Sequence, residues 1–363
     1  MSCHRHQLGS EHPAVSRDRR RPFARGFARK IALFLGLVSA VVGTGLPARS
    51  QEPEHPFHFG FSTALMPDVN EDDASAAMKV WAEGVVKNGV INADPHVLMF
   101  HDFASLQTAL RNKTVDGVVA PTAEYFALTN EFEFNHFVFS VVAGSIFDEY
   151  ILLVRAEGRF AKVEDLRGCT LNSLKQTRTS LAPIWLDTLL LEKGLPPAAQ
   201  FCGRVTEATK LTQTVLPVFF GKADACLVTR TGFNTMCELN PQVGRQLRVL
   251  AASTNYVPSG FFFRAGYPPA RQEECLAEFK RVGKNPAGLQ ILTVFQTESL
   301  EEQPASVLNS TLDLLKRHRQ LLDGWGQANG RPDEPKPDIG KNVASENHAT
   351  ATPPGQPALL NRP

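Results

Sequence analysis

Short apolar segments alternate with segments whose apolar residues recur at helical spacing along most of the chain. The run Glu149–Arg155 (EYILLVR) has a continuous apolar centre, which is typical of a strand buried on both faces. The segment Ala74–Asn88 carries its apolar residues three and four positions apart, which predicts an amphipathic helix. Strands are predicted by the same reasoning over 57–61, 97–100, 115–120, 137–142, 149–155, 169–172, 201–205, 223–228, 247–252 and 260–264.

Helical patterns separate these strands, which predicts an α/β protein with parallel sheets. The strand and helix series restarts near residue 156 and ends near 250, where an apolar strand returns to the first series. We therefore expect two lobes, each with its own sheet, joined by crossing hinge strands and separated by a cleft. The predicted first lobe is discontinuous, and the expected ranges are 57–153 with 251–325 for lobe 1, 154–250 for lobe 2 and 327–363 for a disordered tail.

The first 50 residues have the pattern of an export signal. A long basic stretch precedes the apolar run Ile31–Leu46, and a small-x-small site ends at Ser50. We expect cleavage near Ser50 and a periplasmic location. Arg20 and Arg21 resemble the twin-arginine export pattern, whereas the Pro22 that follows them favours a Sec signal with a long basic region. Both export routes remain open from the sequence.

Charge and cysteine content narrow the classes of partner. The 363 residues have a formal net charge of +1, and much of the positive charge lies in the export signal. The exported protein is therefore acidic, which argues against nucleic acid as a partner. No Cys/His cluster has the spacing of a metal site, so we expect no metal and no cofactor. Export permits disulfides, and the pairing among five cysteines stays open: Cys169, Cys202, Cys226, Cys237 and Cys275.

The stretch Asp165–Gly194 carries the clearest candidate chemistry. It predicts a strand, then a Thr-, Ser- and Arg-rich turn, then a helix with Pro183 in its first turn and Gly194 at its end. Free N–H groups and the helix dipole at such a turn can hold an anion. A capped helix after a strand is the structural alternative. The sequence has no GxGxxG, GxxxxGK[ST] or GxSxG motif and no nucleophile beside a base, so we predict no catalytic residue.

Ligands of α/β sheets bind outside the carboxyl ends of the strands, and most of the predicted strand ends here carry hydroxyl or basic side chains. The structural alternatives are turn capping for the hydroxyl groups, core packing for the tyrosines and surface exposure for the cations. Ligand-binding roles are predicted for Ser62, Thr63, Thr122, Tyr125, Tyr150, Gln176, Thr177, Arg178, Thr179, Lys210, Thr229 and Arg230.

Four stretches carry a family resemblance: FGFSTALMPD, FHDFASLQTALRNKTVDGVVAPTAEYF, EYILLVR followed by DLRGCTLNSLKQTRTSLAP, and FFGKADACLVTRTGFN. In this order, over about 57 to 300, the chain resembles the type 2 periplasmic solute-binding proteins of ABC importers, in the phosphonate, phosphate and phosphite branch. The resemblance implies that a small oxyanion or phosphonate is captured in the interlobe cleft. It also implies an ABC permease as partner and a monomeric protein.

The chain departs from that family at the anion-binding turn. The family usually has Ser-Thr-Ser-Gly there, and the matching residues are Gln176, Thr177, Arg178 and Thr179. Arg178 could hold a dianion bidentately or point into solvent. Ser259 stands where aminophosphonate binders have an acidic residue, which makes an amine-bearing ligand less expected. One alternative is therefore a periplasmic ligand sensor or accessory protein for a signalling or redox system, with a sensor kinase as partner; another is an enzyme on the same fold.

Overall fold

The computed structural model describes residues 57–67, 70–87 and 95–328. The predicted export signal over 1–50 lies outside the described residues, as does the predicted disordered tail from residue 329 onward. Residues 327 and 328, which were predicted to be disordered, are instead the end of the last helix. No helix in the described part of the chain combines the length and the hydropathy that a membrane span needs.

The first sheet has six strands in the order β11-β4-β10-β3-β1-β2. The strands β1, β2 and β3 are parallel to one another, whereas β10 runs antiparallel between β3 and β4, and β11 is antiparallel to β4. The ranges are Phe57–Ser62 for β1, Pro95–Phe100 for β2, Gly117–Pro121 for β3, Phe134–Val141 for β4, Ser259–Arg264 for β10 and Ser299–Gln303 for β11.

The second sheet has five strands in the order β7-β6-β8-β5-β9. The strand β6 is parallel to β7 and β8, and β5 is antiparallel to both of its neighbours. The ranges are Asp148–Arg155 for β5, Thr170–Leu174 for β6, Arg204–Ala208 for β7, Ala225–Thr229 for β8 and Leu247–Tyr256 for β9. The two sheets and their helices confirm the predicted α/β architecture, but each sheet combines parallel and antiparallel strands where parallel sheets were predicted.

Helices cover both sheets. The predicted helix ends are confirmed at the second lobe's first helix, where Pro183 lies in the first turn and Gly194 follows the last with a φ of 69°. The ranges are Glu71–Lys87 for α1, Phe103–Arg111 for α2, Thr122–Leu128 for α3, Ala182–Glu192 for α4, Ala198–Phe201 for α5, Leu211–Phe219 for α6, Arg230–Leu239 for α7, Pro241–Gln246 for α8, Pro269–Phe279 for α9, Pro286–Val294 for α10 and Asn309–Ala328 for α11.

Both sheets have apolar side chains on their two faces, as sheets with helices on both sides require. Consecutive residues of a strand point to opposite faces, so Phe261 and Phe263 of β10 pack with one helix layer and Phe262 with the other. Five consecutive residues of β5, from Tyr150 to Val154, have no exposed surface. The prediction that this run is buried on both faces is therefore confirmed.

The chain passes between the two sheets twice, before Asp148 and after Tyr256. The boundaries between the lobes were predicted inside 149–155 and at 250–251. In the structure both boundaries lie outside β5 and β9, because these two strands belong wholly to the second sheet. Helix α11 was assigned to lobe 1, yet its Leu314 and Leu315 pack in the core of the second sheet with α4.

The strand predicted over 201–205 begins later, at Arg204. Phe201 ends α5, which the fixed φ of Pro197 at its N-cap helps to start, and Cys202 is its C-cap. Three of the numbered elements were not predicted, namely α5, α8 and β11. The sequence of β11, SLEEQ, has no apolar alternation because the strand forms an edge of its sheet with half-exposed side chains.

Candidate ligand-binding cleft

Two short 3-10 turns from different sheets are in contact. The turn Thr63–Leu65 follows β1, and the turn Thr177–Thr179 follows β6 after two intervening residues. The Thr177 hydroxyl donates a hydrogen bond to the Leu65 carbonyl. The carboxyl ends of parallel strands from both sheets therefore meet here, which is where α/β sheets place their ligands.

A cavity of about 410 Å³ begins at this contact. Its polar end is lined by residues from the second sheet and its turns: Asp148, Gln176, Thr177, Arg178, Thr229 and Thr231. Its other end extends along the first sheet, and apolar side chains line it: Phe59, Phe61, Val119, Phe261, Phe279 and Phe295.

The turn after β6 is held by its own side chains. The Gln176 N–H donates to Thr179 Oγ1 over 2.9 Å, and the Thr179 hydroxyl donates to the Leu174 carbonyl over 2.7 Å. The Gln176 side-chain amide donates to the Thr209 carbonyl over 2.9 Å. Thr179 is buried and does not line the cavity. In this structure Thr179 fixes the turn and stands apart from the cavity, and the ligand role predicted for it stays a prediction.

Arg178 lies on the cavity wall, but it is paired with a carboxylate. Its Nε is 2.9 Å from Asp148 Oδ2, and its Nη2 donates to the Phe147 carbonyl over 3.3 Å. The side chain of Asp148 is only 1% exposed, and burial raises its pKa to about 6 although the Arg178 charge lowers it. The guanidinium predicted to hold a dianion is thus largely compensated by a neighbour that the sequence did not indicate.

The other two predicted cations do not line the cavity. Arg230 makes a bidentate ion pair with Glu149, with distances of 2.7 and 3.1 Å. Lys210 is the exposed N-cap residue of α6. The electrostatic character of the polar end therefore depends on hydroxyls, N–H groups and the paired Arg178.

The predicted hydroxyl ligands of the first sheet bind protein groups instead. Thr122 has no exposed surface and donates to the Val257 carbonyl over 2.6 Å, and Thr63 donates to the Phe100 carbonyl over 3.2 Å. Ser62 is buried beside Glu124; burial raises the pKa of Glu124, and a hydrogen bond from Ser62 opposes that rise. None of the three lines the cavity. Thr63 and Thr122 thus bind backbone carbonyls, and Ser62 binds the Glu124 side chain.

The two tyrosines predicted at the cleft are core residues. Tyr125 is buried and stacks on Phe262 with ring centroids 4.3 Å apart. Tyr150 has no exposed surface and stacks on Tyr256 at 6.0 Å, and burial raises its pKa. Neither lines the cavity. Of the twelve predicted residues, the structure brings four together on the cavity: Gln176, Thr177, Arg178 and Thr229.

Helix α7 adds two cavity residues that were not predicted, Thr231 and Thr235. Thr229 caps this helix by accepting a hydrogen bond from the Gly232 N–H over 3.1 Å, and Thr231 and Thr235 also line the cavity. Ser259 of β10 lines it too. A Thr-rich helix start after a buried strand is a usable sequence signal for such residues, whereas Asp148 has none. No group of three or more His, Cys, Asp or Glu that could hold a metal occurs among the described residues.

A family model described as the periplasmic substrate-binding protein of phosphonate ABC transporters matches residues 63–307. No curated protein matches the sequence of this chain. The match covers most of both sheets.

Solved structures share the fold at low identity. A Xanthomonas citri protein bound to chloride ion has a TM-score of 0.52 and 16% identity over 74% of this chain and 99% of that chain. Its ATP-bound structure also has a TM-score of 0.52 and 16% identity, over 74% of this chain and 98% of that chain. A binding-protein component of a phosphonate ABC transporter from Pseudomonas aeruginosa has a TM-score of 0.46 and 13% identity, over 76% of this chain and 99% of that chain. With the family match, the Xanthomonas likeness confirms the predicted two-lobed binding-protein fold.

Proposed function

The chain belongs to the phosphonate family of periplasmic substrate-binding proteins of ABC transporters, and on this premise we propose that its cavity captures a small anion for an ABC permease. The observation that carries the proposal is the contact between Thr177 and Leu65, which joins strand ends of both sheets at the polar end of the cavity. A ligand seated there would touch both sheets. Binding would therefore favour a closed arrangement of the two, which is the state a permease can recognise.

Neutral donors carry most of the binding in this proposal. The hydroxyls of Thr229 and Thr231 line the polar end and can donate to an anion, whereas Thr177 donates to it only by turning its proton away from the Leu65 carbonyl. The first turn of α7 supplies helix N-terminal N–H groups. Arg178 adds a cation whose charge Asp148 already offsets. A singly charged oxyanion suits this environment better than a dianion, because a second charge would face the buried Asp148 carboxylate.

We also propose that the protein is exported with its signal removed near Ser50 and that it acts as a monomer. The small-x-small site at Ser50 supports the cleavage. N-terminal sequencing of the periplasmic protein and light scattering test these two statements independently of ligand binding.

Thermal-shift and calorimetric titrations with phosphate, phosphite, sulfate and short phosphonates test the capture of an anion. A ligand at a hundred times its Kd stabilises the protein by about 2.7 kcal/mol. The substitution Thr177→Val removes one hydroxyl, and we expect it to weaken binding about fivefold, the equivalent of ~1 kcal/mol. The control is Thr108→Val on the exposed face of α2, where the hydroxyl only bonds Ala104 within the helix.

One observation favours a second function, that of a sensor or accessory protein. Both arginines predicted at the cleft are paired with carboxylates, Arg178 with Asp148 and Arg230 with Glu149. A protein that no longer needs to bind an anion tightly could keep such pairs. Absence of binding by every anion tested would refute anion capture and support this second function.

A further inference from the structure

The cavity is larger than a small oxyanion requires. If each heavy atom occupies about the volume of one water, roughly 30 Å³, then 410 Å³ has room for about a dozen heavy atoms. The polar end can hold a phosphonate head, which leaves space for about eight further atoms. Pockets of this size are usual for ligands well above the size of an inorganic anion.

The remaining space is an apolar chamber between the first sheet and its helices. Phe59 and Phe61 of β1, Val119 of β3 and Phe261 of β10 form its floor. The helices α9 and α10 contribute aromatic and aliphatic side chains to its roof, among them Phe279, Ile291 and Leu292. These residues belong to the apolar core of the first sheet, so a bare anion would leave their inward surfaces without contact partners.

Resting on the proposed function, we propose that the ligand is an amphiphilic phosphonate monoanion with an alkyl or aryl tail of about eight carbons. The head lies at the hydroxyls of Thr177, Thr229 and Thr231, and the tail enters the apolar chamber. The asymmetry of the cavity sets this direction, because its ion pair lies at the second sheet and all of its aromatic side chains lie at the first. Hydroxyls line both parts, with Thr177, Thr229, Thr231 and Thr235 at the second sheet and Ser140, Ser259 and Thr297 at the first. The tail contributes binding free energy that the compensated Arg178 does not.

A chain-length series in the unaltered exported protein tests this inference. Methyl-, butyl-, hexyl-, octyl- and dodecylphosphonate are titrated by calorimetry near pH 7, where Asp148 is ionised and alkylphosphonates still carry mostly one charge. We expect the affinity to rise by up to about fourfold per methylene as far as the octyl compound and to rise no further with dodecyl. An octyl compound with a cationic head should not bind.

The outcomes separate this inference from the proposed function. Equal affinity for methyl- and octylphosphonate would overturn the inference that the ligand has an apolar tail, and it would leave the proposed capture of an anion unaffected. No binding by any phosphonate would overturn both. Equal binding of the cationic octyl compound would overturn the assignment of the head to the polar end.

Matched valine substitutions locate the tail. We expect Val119→Phe to fill the chamber and to reduce the ratio of octyl to methyl affinity by at least tenfold. The control is Val205→Phe on the edge strand β7, where the valine is 42% exposed and does not line the cavity. An unchanged ratio in folded Val119→Phe would place the tail elsewhere. If that variant does not fold, the chain-length series in the unaltered protein still decides.

A different observation carries a second inference, about a pair of thiols. Cys169 precedes β6 and Cys202 ends α5, with their sulfur atoms 3.6 Å apart. Both side chains are buried, and the N–H groups of Gly203 and Arg204 donate to the Cys169 carbonyl over 2.9 and 3.2 Å. The two backbones are thus held together independently of the sulfur atoms. Cys226, Cys237 and Cys275 have no such neighbour among the described residues.

We infer that Cys169 and Cys202 form a disulfide in the periplasm. Each thiol loses one proton and one electron, a sulfur–sulfur bond forms, and a thiol–disulfide oxidant of that compartment is reduced from its disulfide to two thiols. The bond closes a loop between positions 33 apart and ties α5 to the start of β6.

Peptide mapping of protein isolated from the periplasm tests the disulfide. Free thiols are alkylated at once, and the protein is digested without reduction. We expect one cross-linked peptide with Cys169 and Cys202, while Cys237 is alkylated. Reduction should lower the Tm by roughly 10 °C, as a loop of this length implies, and the Cys237→Ser protein should show the same loss. Alkylation of both Cys169 and Cys202 in freshly isolated protein would overturn the inference.

Discussion

The buried carboxylate Asp148 should make the protein less stable as the pH rises. Its side chain is 1% exposed, and its partner is the guanidinium of Arg178. Burial raises the pKa from its ordinary value of 3.8 to about 6, although the Arg178 charge opposes the rise. The folded protein therefore holds this proton more tightly than the unfolded chain does. The contribution of Asp148 to stability is most favourable below about pH 4 and is lost as the pH rises toward 6.

The size of the effect follows from the two pKa values. A difference of about two pKa units corresponds to ~3 kcal/mol between pH 4 and pH 7. Other carboxylates act in the opposite sense, since hydrogen bonds lower the pKa of the exposed Asp102, Glu131 and Asp165. The substitution Asp148→Asn removes the contribution of Asp148 and leaves those of the other carboxylates. The original protein and the variant must therefore be compared at both pH values.

Urea unfolding of the original protein and of Asp148→Asn at pH 4.0 and 7.0 measures this difference. We expect the free energy of unfolding of the original protein to fall, relative to that of the variant, by about 2–3 kcal/mol between the two pH values. The control is Asp323→Asn, which replaces an exposed carboxylate of α11 and should follow the original protein. The same pH dependence in Asp148→Asn and the original protein would refute the reasoning, because the carboxylate would then not be buried.

Three further predictions follow from particular contacts. Asp148→Asn leaves Arg178 uncompensated at the cavity, so calorimetry should show that the ratio of phosphate affinity to monoanion affinity is about tenfold higher in the variant than in the original protein. The same ratio in both proteins would contradict this. Gly194→Ala should cost about 1 kcal/mol in denaturant unfolding, because its φ is 69° although no atom lies within 4 Å of the added Cβ. Phe262→Ala should cost about 3–5 kcal/mol, because the ring has no exposed surface and stacks on Tyr125; a loss below 1 kcal/mol would contradict this packing.

The sequence predicted correctly those elements whose structure is determined by residues close together in the chain. Gly194 ends α4 in a Schellman motif, with its N–H donating to Leu191 and the N–H of Leu195 to Leu190, and the glycine itself marks that end in the sequence. One edge strand, β11, was not predicted. The polar strand β11 pairs only with β4, and its residues carry no apolar signal because one side of the strand is open.

Some of the residues predicted for the candidate site line the cavity, and others do not. Thr177 and Thr229 lie on the cavity, as their positions at the ends of β6 and β8 indicated. Thr122 and Tyr150 also lie near strand ends. However, Thr122 donates a hydrogen bond to the Val257 carbonyl, and Tyr150 stacks on Tyr256. A strand-end position thus identifies residues that can reach a cleft, and it does not distinguish those that bind other protein groups.

The sequence by itself determined the order of strands and helices, the division into two sheets and the turn after β6, because each depends on residues close together in the chain. The tertiary structure alone decided the electrostatics and the shape of the site. Arg178 meets Asp148 across 30 positions, and Arg230 meets Glu149 across 81. The apolar chamber likewise forms where β1, β3, β10 and two later helices come together. Such contacts between distant segments leave no periodic pattern in the sequence, so only the folded chain reveals that the cations are compensated and that the cavity extends beyond the anion.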